Sequence, residues 1–223
     1  MSKCNRSGVL NVVEMFAGVG GFRQGLSEVV SADGSPCFDV VWGNQFEPGT
    51  KKQVAAEIYK ARWGDAGFVS KDINDVLADA AEMKRIKKAR PDFLVAGFPC
   101  QDYSVAKPSN LSQGIEGAKG VLWWSIYEML KASVDEGQPI KYALFENVDR
   151  LINSPSKARG MDFAIILSSL HSLGYHAEWR VVNSADYGFA QRRKRIFITA
   201  YHSSTLLGQK LVEAVNAGGG NVG

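Results

Sequence analysis

The sequence lacks any run of eighteen consecutive apolar residues, so it contains no candidate for a helix that spans a membrane. Its first residues, Met-Ser-Lys-Cys-Asn-Arg, also lack the apolar core of a signal peptide, and we expect a cytoplasmic protein with no membrane partner. Cysteine is scarce, and Cys4, Cys37 and Cys100 are scattered without the spacing of metal ligands. This odd set predicts reduced thiols, with neither a disulfide framework nor a metal site.

An excess of charge of one sign is missing as well. The 26 Lys and Arg residues and the 23 Asp and Glu residues give a formal net charge of +3 at pH 7, which alone does not indicate a nucleic-acid partner. The 223 residues, 45% of them apolar, suffice for one ordinary globular domain, and we see no internal repeats. We therefore treat residues 1–223 as a single domain.

Short apolar runs alternate with helical stretches along the chain, as in an open α/β sheet. Strands are predicted at Leu10–Phe16, Phe38–Asn44, Gly67–Val69, Phe93–Ala96, Tyr142–Val148, Ala177–Asn183 and from the arginine run to Ile198. Helices are predicted at Phe22–Val30, Pro48–Trp63, Asn74–Arg90, Leu122–Leu130, Met161–Leu173 and Ser203–Ala217.

Cys100 follows the predicted strand Phe93–Ala96 and a turn stiffened by Pro99. Open α/β sheets bind ligands beyond the carboxyl ends of their strands, so the thiol lies where a nucleophile would be expected. The alternative is a free cysteine buried as a small apolar side chain. The glycine- and serine-rich stretch 102–120 is long for a connection within a compact domain, and we expect it to be a functional lid.

The stretch Ala17–Gly21 joins the first predicted strand to a helix and contains Gly18, Gly20 and Gly21. Glycines let the backbone approach a ligand closely, and the N-terminus of the helix favours an anionic group. The spacing Gly-x-Gly-Gly meets the dinucleotide fingerprint Gly-x-Gly-x-x-Gly only in part, which disfavours an oxidoreductase. The alternative is a glycine turn without a ligand.

Two further strand ends carry polar groups. Glu146 ends the apolar strand Tyr142–Val148, and an acid there could hold or share a proton with a ring nitrogen, unless backbone donors satisfy it. Asn147 is expected to brace the turn before the cysteine. In the run 191–195, a period of two puts Arg193 and Arg195 on one face of a strand, and two guanidinium groups could point into one site. The alternative is a solvated basic turn.

Five stretches, in this order, resemble the motifs of the cytosine-C5 DNA methyltransferases. They are Phe16–Gly21, Pro99-Cys100-Gln101, Glu146–Val148, Asp186–Gly188 and Gln191–Arg195. The resemblance covers roughly residues 10 to 200 and implies a Rossmann-like fold, with a mostly parallel twisted sheet and helices on both faces. It also implies S-adenosylmethionine as cofactor, cytosine in double-stranded DNA as substrate, and a bacterial or phage context.

The resemblance assigns roles to individual residues. It implies a covalent adduct with the cytosine and the catalytic residues Cys100, Glu146, Arg193 and Arg195. It implies cofactor contacts from Phe16, Gly18, Gly20, Gly21, Gln45, Phe46, Glu47, Asp72, Ile73, Pro99 and Leu122. It implies substrate contacts from Gln101, Ser104, Asn147 and Gln191.

Some of these assignments have alternatives in the sequence. Gln45 stands where the family usually has an acid, and an amide offers one acceptor oxygen to a ribose where a carboxylate offers two. Glu47 is either a ribose ligand or a solvated charge, and Asp72 is either an adenine contact or a helix N-cap.

The resemblance also leaves alternatives for the whole protein. Family enzymes normally continue with a target-recognition domain and a last motif that closes the cofactor pocket, and neither is visible in this sequence. The chain is then either a fragment or the catalytic subunit of a split enzyme whose second polypeptide carries the recognition domain. Two alternatives are an RNA cytosine methyltransferase and a non-catalytic partner that binds S-adenosylmethionine.

Overall fold

The computed structural model describes residues 3–4, 8–98, 122–153 and 159–217, which form a seven-stranded sheet with helices on both faces. The strands of this sheet are β2 (Leu10–Met15), β4 (Phe38–Asn44), β5 (Phe68–Val69), β6 (Phe93–Gly97), β7 (Tyr142–Val148), β8 (Tyr175–Asn183) and β9 (Lys194–His202). A separate two-stranded sheet pairs β1 (Lys3–Cys4) with β3 (Val30–Ser31). The helices are α1 (Gly21–Ser27), α2 (Val54–Trp63), α3 (Ile73–Ala78), α4 (Ala80–Lys88), α5 (Leu122–Asp135), α6 (Met161–Ser172) and α7 (Leu206–Asn216).

The large sheet has the strand order β5-β4-β2-β6-β7-β9-β8, in which only β9 runs antiparallel to its neighbours. Consecutive buried residues in β2 and β6 show that both faces of these central strands are covered, as parallel strands require. Val12 packs on one face with Phe22 and Leu26 of α1, whereas Val13 belongs to a larger core on the other face. The predicted fold class is therefore confirmed.

The register of the parallel strands brings their carboxyl ends to one edge. Met15 pairs with Ala96, Asn44 pairs with Val69, and Gly97 pairs with Glu146. The chain leaves β2, β4 and β5 at this edge and turns toward the next helix. The ends of β2, β4, β5, β6 and β7 therefore lie along one edge of the sheet, where α/β folds gather their ligands.

Two predicted helices differ most from the structure, and α1 also ends at Ser27 and not at Val30, which lies in β3. We expected a helix from Pro48, but α2 begins at Val54 because the Gln53 side chain closes a turn beforehand, accepting from Glu47 N at 2.7 Å and donating to Glu47 O at 2.9 Å. We expected one helix over 74–90, but Asp79 adopts φ −84° and ψ 100° and divides it into α3 and α4. The Asp79 carboxylate then caps α4 by accepting from the backbone N–H groups of its first turn.

The prediction of reduced thiols is wrong for Cys37, which is disulfide-bonded and lies directly before β4. Cys37 is buried, with 4% of its surface exposed. Spacing along the chain gave no sign of this bond, because a disulfide depends on how closely the fold brings two Cα atoms together.

A buried carboxylate joins the first two helices to the sheet. Glu14 of β2 is fully buried and accepts from Tyr59 Oη of α2 at 2.9 Å and from the backbone N–H of Arg23 in α1 at 3.2 Å. The Arg23 guanidinium donates to the same Tyr59 oxygen at 3.0 Å. Burial raises the pKa of Glu14 above its ordinary value of 4.5, and these hydrogen bonds and the Arg23 charge oppose the shift.

The raised pKa makes a prediction about stability and pH. The folded state holds the Glu14 proton more tightly than the unfolded chain does. Protonation of Glu14 therefore adds to the free energy of unfolding, fully below pH 4.5, and this stabilisation is lost as the pH rises through the folded-state pKa. Each unit of pKa difference corresponds to about 1.4 kcal/mol. Urea unfolding of the wild type and Glu14→Gln across this range should show a decline in the wild type that the variant lacks. Parallel curves would contradict the assignment.

Candidate active site

The glycine loop leaves β2 through a series of left-handed backbone conformations. Phe16, directly after the strand, has φ +54°, and Gly18 and Gly20 have φ +55° and +88°. The loop is held by hydrogen bonds from Ala17 N to Asn44 O and from Gly20 N to Ala17 O, both 2.9 Å long. A non-glycine residue in this region is strained, and such strain is often found where a backbone is shaped around a ligand.

Trp63, the last residue of α2, packs directly under this loop. A Cβ atom added at Gly20 would lie 2.3 Å from Trp63 Nε1, so only glycine fits there. The guanidinium carbons of Arg23 and Arg62 lie 5.2 Å and 4.9 Å from the centroid of the indole ring. Trp63 Nε1 is buried without a hydrogen-bond partner in the described part of the chain. The indole ring therefore packs against the glycine loop and restricts its conformation.

The end of β4 lies against the same loop. Gln45 is half-buried, and its Oε1 accepts from Gly18 N at 2.8 Å, so the side chain predicted to face the ribose also braces the loop. Phe46 is half-buried and Glu47 is exposed, and both follow Gln45 at the edge where we expected a nucleoside.

Asp72 is the N-cap of α3. Its Oδ1 accepts from the backbone N–H of Asn74 at 2.9 Å and from the Asn74 side chain at 3.0 Å. Ile73 is buried in the main core, and Leu122 begins α5 with its side chain half-buried against that core. The capping role is confirmed, and the adenine contact of Asp72 stays a prediction, as do the cofactor contacts of Ile73 and Leu122.

Glu146 and Arg195 form an ion pair across β7 and β9. Arg195 Nε lies 2.7 Å from Glu146 Oε1. The Arg195 side chain is 22% exposed and the Glu146 side chain is 25% exposed. Arg195 also donates to Lys194 O at 2.7 Å. Gly97 lies opposite Glu146, and even a Cβ there would be 3.6 Å from Glu146 Oε2. Glycine at this position therefore places no side-chain atom beside the second carboxylate oxygen.

Asn147 supports the chain that leads to the predicted nucleophile. The side chain is 2% exposed, and its Nδ2 donates to Phe98 O at 3.0 Å while its Oδ1 accepts from Val148 N at 2.8 Å. The expected brace is present at Phe98, two residues before Cys100 in sequence. Its predicted contact with the substrate stays a prediction. Four predicted site residues lie outside the described residues, namely Pro99, Cys100, Gln101 and Ser104.

Arg193 precedes β9 and is exposed, in a hairpin loop that Ser184 closes. Ser184 N donates to Arg193 O at 3.0 Å, Arg193 N donates to Ser184 Oγ at 3.2 Å, and Ser184 Oγ donates to the carbonyl oxygen of Gln191. Thus the structure brings Arg195 to Glu146, while Arg193 and Gln191 lie on the adjoining loop. The contacts of Arg193 and Gln191 with the substrate stay predictions.

Sequence reasoning did not identify Glu14, Arg23, Tyr59 or Trp63. A charged residue within the apolar run Leu10–Met15 was the available signal, because a buried carboxylate requires a polar partner. In the described ranges, no group of three or more His, Cys, Asp and Glu residues could hold a metal ion. No helix described is long and apolar enough to cross a membrane.

Comparison with known proteins gives a consistent result. The family model described as C-5 cytosine-specific DNA methylase matches residues 10–215. Type II methyltransferase M.Sau3AI of Staphylococcus aureus is 47% identical over 192 residues, which are 86% of this chain and 43% of the relative. Type II methyltransferase M.NgoBI of Neisseria gonorrhoeae is 32% identical over 189 residues, covering 85% of this chain and 50% of the relative. The chain thus spans half or less of their length.

Solved structures support the fold. The Dnmt2 methyltransferase of S. pombe superimposes with a TM-score of 0.60 at 18% identity, over 89% of this chain and 51% of that chain. A putative DNA modification methyltransferase encoded within an E. coli prophage gives 0.58 at 23% identity, over 87% of this chain and 47% of that chain. With the ordered motifs and the family match over most of its length, the chain belongs to the C-5 cytosine-specific DNA methylase family.

Proposed function

We propose that this chain transfers a methyl group from S-adenosylmethionine to C5 of cytosine in DNA. The observation that carries the proposal is the Glu146–Arg195 ion pair at the carboxyl edge of the sheet, beside the side-chain-free position Gly97. A carboxyl group and a guanidinium group held 2.7 Å apart offer a donor and an acceptor to one side of a pyrimidine ring. The family membership and the names of the type II relatives support the same reaction.

The glycine loop fits S-adenosylmethionine. Phe16 and Gly18 turn the backbone away from β2 in left-handed conformations, and Trp63 leaves no room for a side chain at Gly20, so the loop is held in one shape at the end of β2. Phe46 would pack on the base, and Gln45 and Glu47 would hold the ribose. Asp72, Ile73, Pro99 and Leu122 would complete the contacts, with Gly21 at the start of α1. When bound, the cofactor supplies an electrophilic methyl group on a sulfonium sulfur.

Cytosine C5 is too weak a nucleophile to take a methyl group unaided, and the protein residues must first activate the ring. The Cys100 thiolate adds to C6, which moves electron density toward C5. A free thiol has a pKa of about 8.5, so only a small fraction is thiolate at neutral pH. After methylation, C5 loses its proton and the ring expels the thiolate, which restores the C5–C6 double bond.

Glu146 and Arg195 hold the ring during this sequence. Glu146 would face N3 and the exocyclic amino group, and Arg195 would donate to O2, where charge develops during attack. Arg193 would serve the target nucleotide and the stretch that follows Cys100. Because C5 and C6 of a stacked base are covered, the cytosine must be extruded from the duplex at a cost of roughly a few kcal/mol. Gln101, Ser104 and Gln191 would line the path of the DNA, and Asn147 would act on the substrate through the chain segment that it holds at Phe98 O.

The chain matches half or less of the two bacterial relatives. Sequence recognition would come from a target-recognition domain, carried either by a longer form of this chain or by a second polypeptide. A cytoplasmic location in a bacterium or phage-infected cell stays a prediction from the sequence.

The nucleophile is tested with DNA that contains 5-fluorocytosine. Fluorine at C5 cannot leave as a proton does, so the Cys100 adduct should accumulate and resist denaturation. The wild type and Cys100→Ser are incubated with this DNA and S-adenosylmethionine, with and without a candidate second chain, and analysed on a denaturing gel. We expect an adduct with the wild type and none with Cys100→Ser.

The same duplex with ordinary cytosine is the matched control, because its C5 can lose a proton and the adduct should then not accumulate. No adduct from the wild type under either condition would count against the reaction. An adduct with transfer RNA but not with duplex DNA would move the activity to RNA.

The cofactor cradle is tested by two glycine substitutions with the same backbone strain. Gly20→Ala introduces a Cβ against Trp63 at φ +88°, whereas Gly34→Ala introduces one at φ +86° with no atom within 4 Å. Both should lose about 1–2 kcal/mol of stability because a left-handed conformation is costly for alanine, and Gly20→Ala should lose more because its Cβ also meets Trp63. Titration calorimetry with S-adenosylhomocysteine should show at least tenfold weaker binding for Gly20→Ala alone. Equal affinity in both variants would place the cofactor elsewhere.

A further inference from the structure

The hairpin loop between β8 and β9, residues 184–193, presents two aromatic side chains to solvent. Tyr187 is 61% exposed and Phe189 is 67% exposed. Burial of either ring would be favourable, and exposed aromatic residues that lie together often mark a binding surface. Neither residue has a role in the function proposed above.

The loop is ordered by its own hydrogen bonds. Besides the Ser184 contacts with Gln191 and Arg193, Phe189 N donates to Ser184 O at 3.3 Å, and Gly188 N donates to Ala185 O at 3.2 Å. Gly188 has φ +85°, so the turn between the two aromatic residues uses a conformation suited to glycine. Because the backbone is already fixed, binding through these rings would cost little additional chain entropy.

Cationic side chains follow the two aromatic residues in sequence, at the end of the same loop and the start of β9. Arg192, Arg193 and Lys194 are exposed, and no ion pair in the described part of the chain involves them. The acid in the loop, Asp186, accepts from the Asn183 side chain at 3.1 Å. Aromatic rings beside unpaired arginines suit a single-stranded or unstacked nucleic acid, since bases stack on the rings while phosphates meet the cations.

The position of the loop connects it to the candidate active site. Arg195, which follows this basic run by one residue, pairs with Glu146. A strand that delivered its cytosine to Glu146 would carry its neighbouring nucleotides past the start of β9. Extrusion of a cytosine also leaves an unstacked neighbour that can accept a protein ring.

We propose that Tyr187 and Phe189, together with Arg192, bind the nucleic-acid strand next to the extruded cytosine. The rings cover an exposed base and Arg192 contacts a flanking phosphate. The inference rests on the proposed function and adds a surface to it. It commits to nucleic acid as the partner, and a protein partner on the same surface is an outcome that would overturn it.

The experiment measures binding by fluorescence anisotropy across a range of salt concentrations. The probe is a mixed-sequence duplex with one unpaired cytosine. The double substitution Tyr187→Ala/Phe189→Ala should weaken binding about tenfold and leave the salt dependence unchanged, because stacking releases no counterions. Arg192→Gln should weaken binding and reduce the slope of log K against log salt by about one.

The matched control is Leu206→Ala/Leu207→Ala on α7, where the two leucines are 67% and 50% exposed. This variant should bind the duplex as the wild type does, and all variants should bind S-adenosylhomocysteine normally. Wild-type affinity in the Tyr187/Phe189 variant, while the wild type forms the 5-fluorocytosine adduct, overturns the inference alone. A wild type that binds no duplex overturns the inference and the proposed function together. A change of oligomeric mass in the aromatic variant, without a change in DNA affinity, indicates a protein partner instead.

Discussion

The ion pair between Glu146 and Arg195 is the contact on which the site depends. It links β7 to the antiparallel strand β9, so the one reversal of direction in the sheet brings a guanidinium group to a carboxylate at the edge where the other strands end. Removing one member of a partly buried pair leaves the other without compensation. The pair also retains access to solvent, which a substrate ring would replace.

The glycine loop, where we propose that the cofactor binds, depends on a different constraint, namely the packing of Trp63 against Gly20. This contact crosses from the end of α2 to the start of α1, and the Glu14, Tyr59 and Arg23 hydrogen bonds tie both helices to β2. A shift of α2 would therefore move the glycine loop. The cradle and the ion pair lie at the ends of β2 and β7, with β6 between them in the sheet. In the proposed function, the strand order thus sets the distance between methyl donor and acceptor.

The sequence predicted the strands and the edge at which they end, because apolar runs bounded by glycine and proline are local signals. Glu146, Arg195 and the glycine loop were found through ordered motifs. The start of α2, the break at Asp79 and the disulfide of Cys37 were not, since each depends on a side chain or a tertiary contact that no local pattern shows. Trp63 was missed for the same reason: it is 43 positions from Gly20 in sequence and its fit appears only when both are folded.

The most direct test of the central claim, that Glu146 and Arg195 hold a cytosine for attack at C6, measures hydrogen exchange at C5 without the cofactor. Addition at C6 makes C5 exchangeable, so duplex DNA labelled with tritium at cytosine C5 should release label to water. We predict release by the wild type, at least about a hundredfold slower release by Glu146→Gln, and retained binding of DNA by that variant. Equal release by the two proteins would contradict the account.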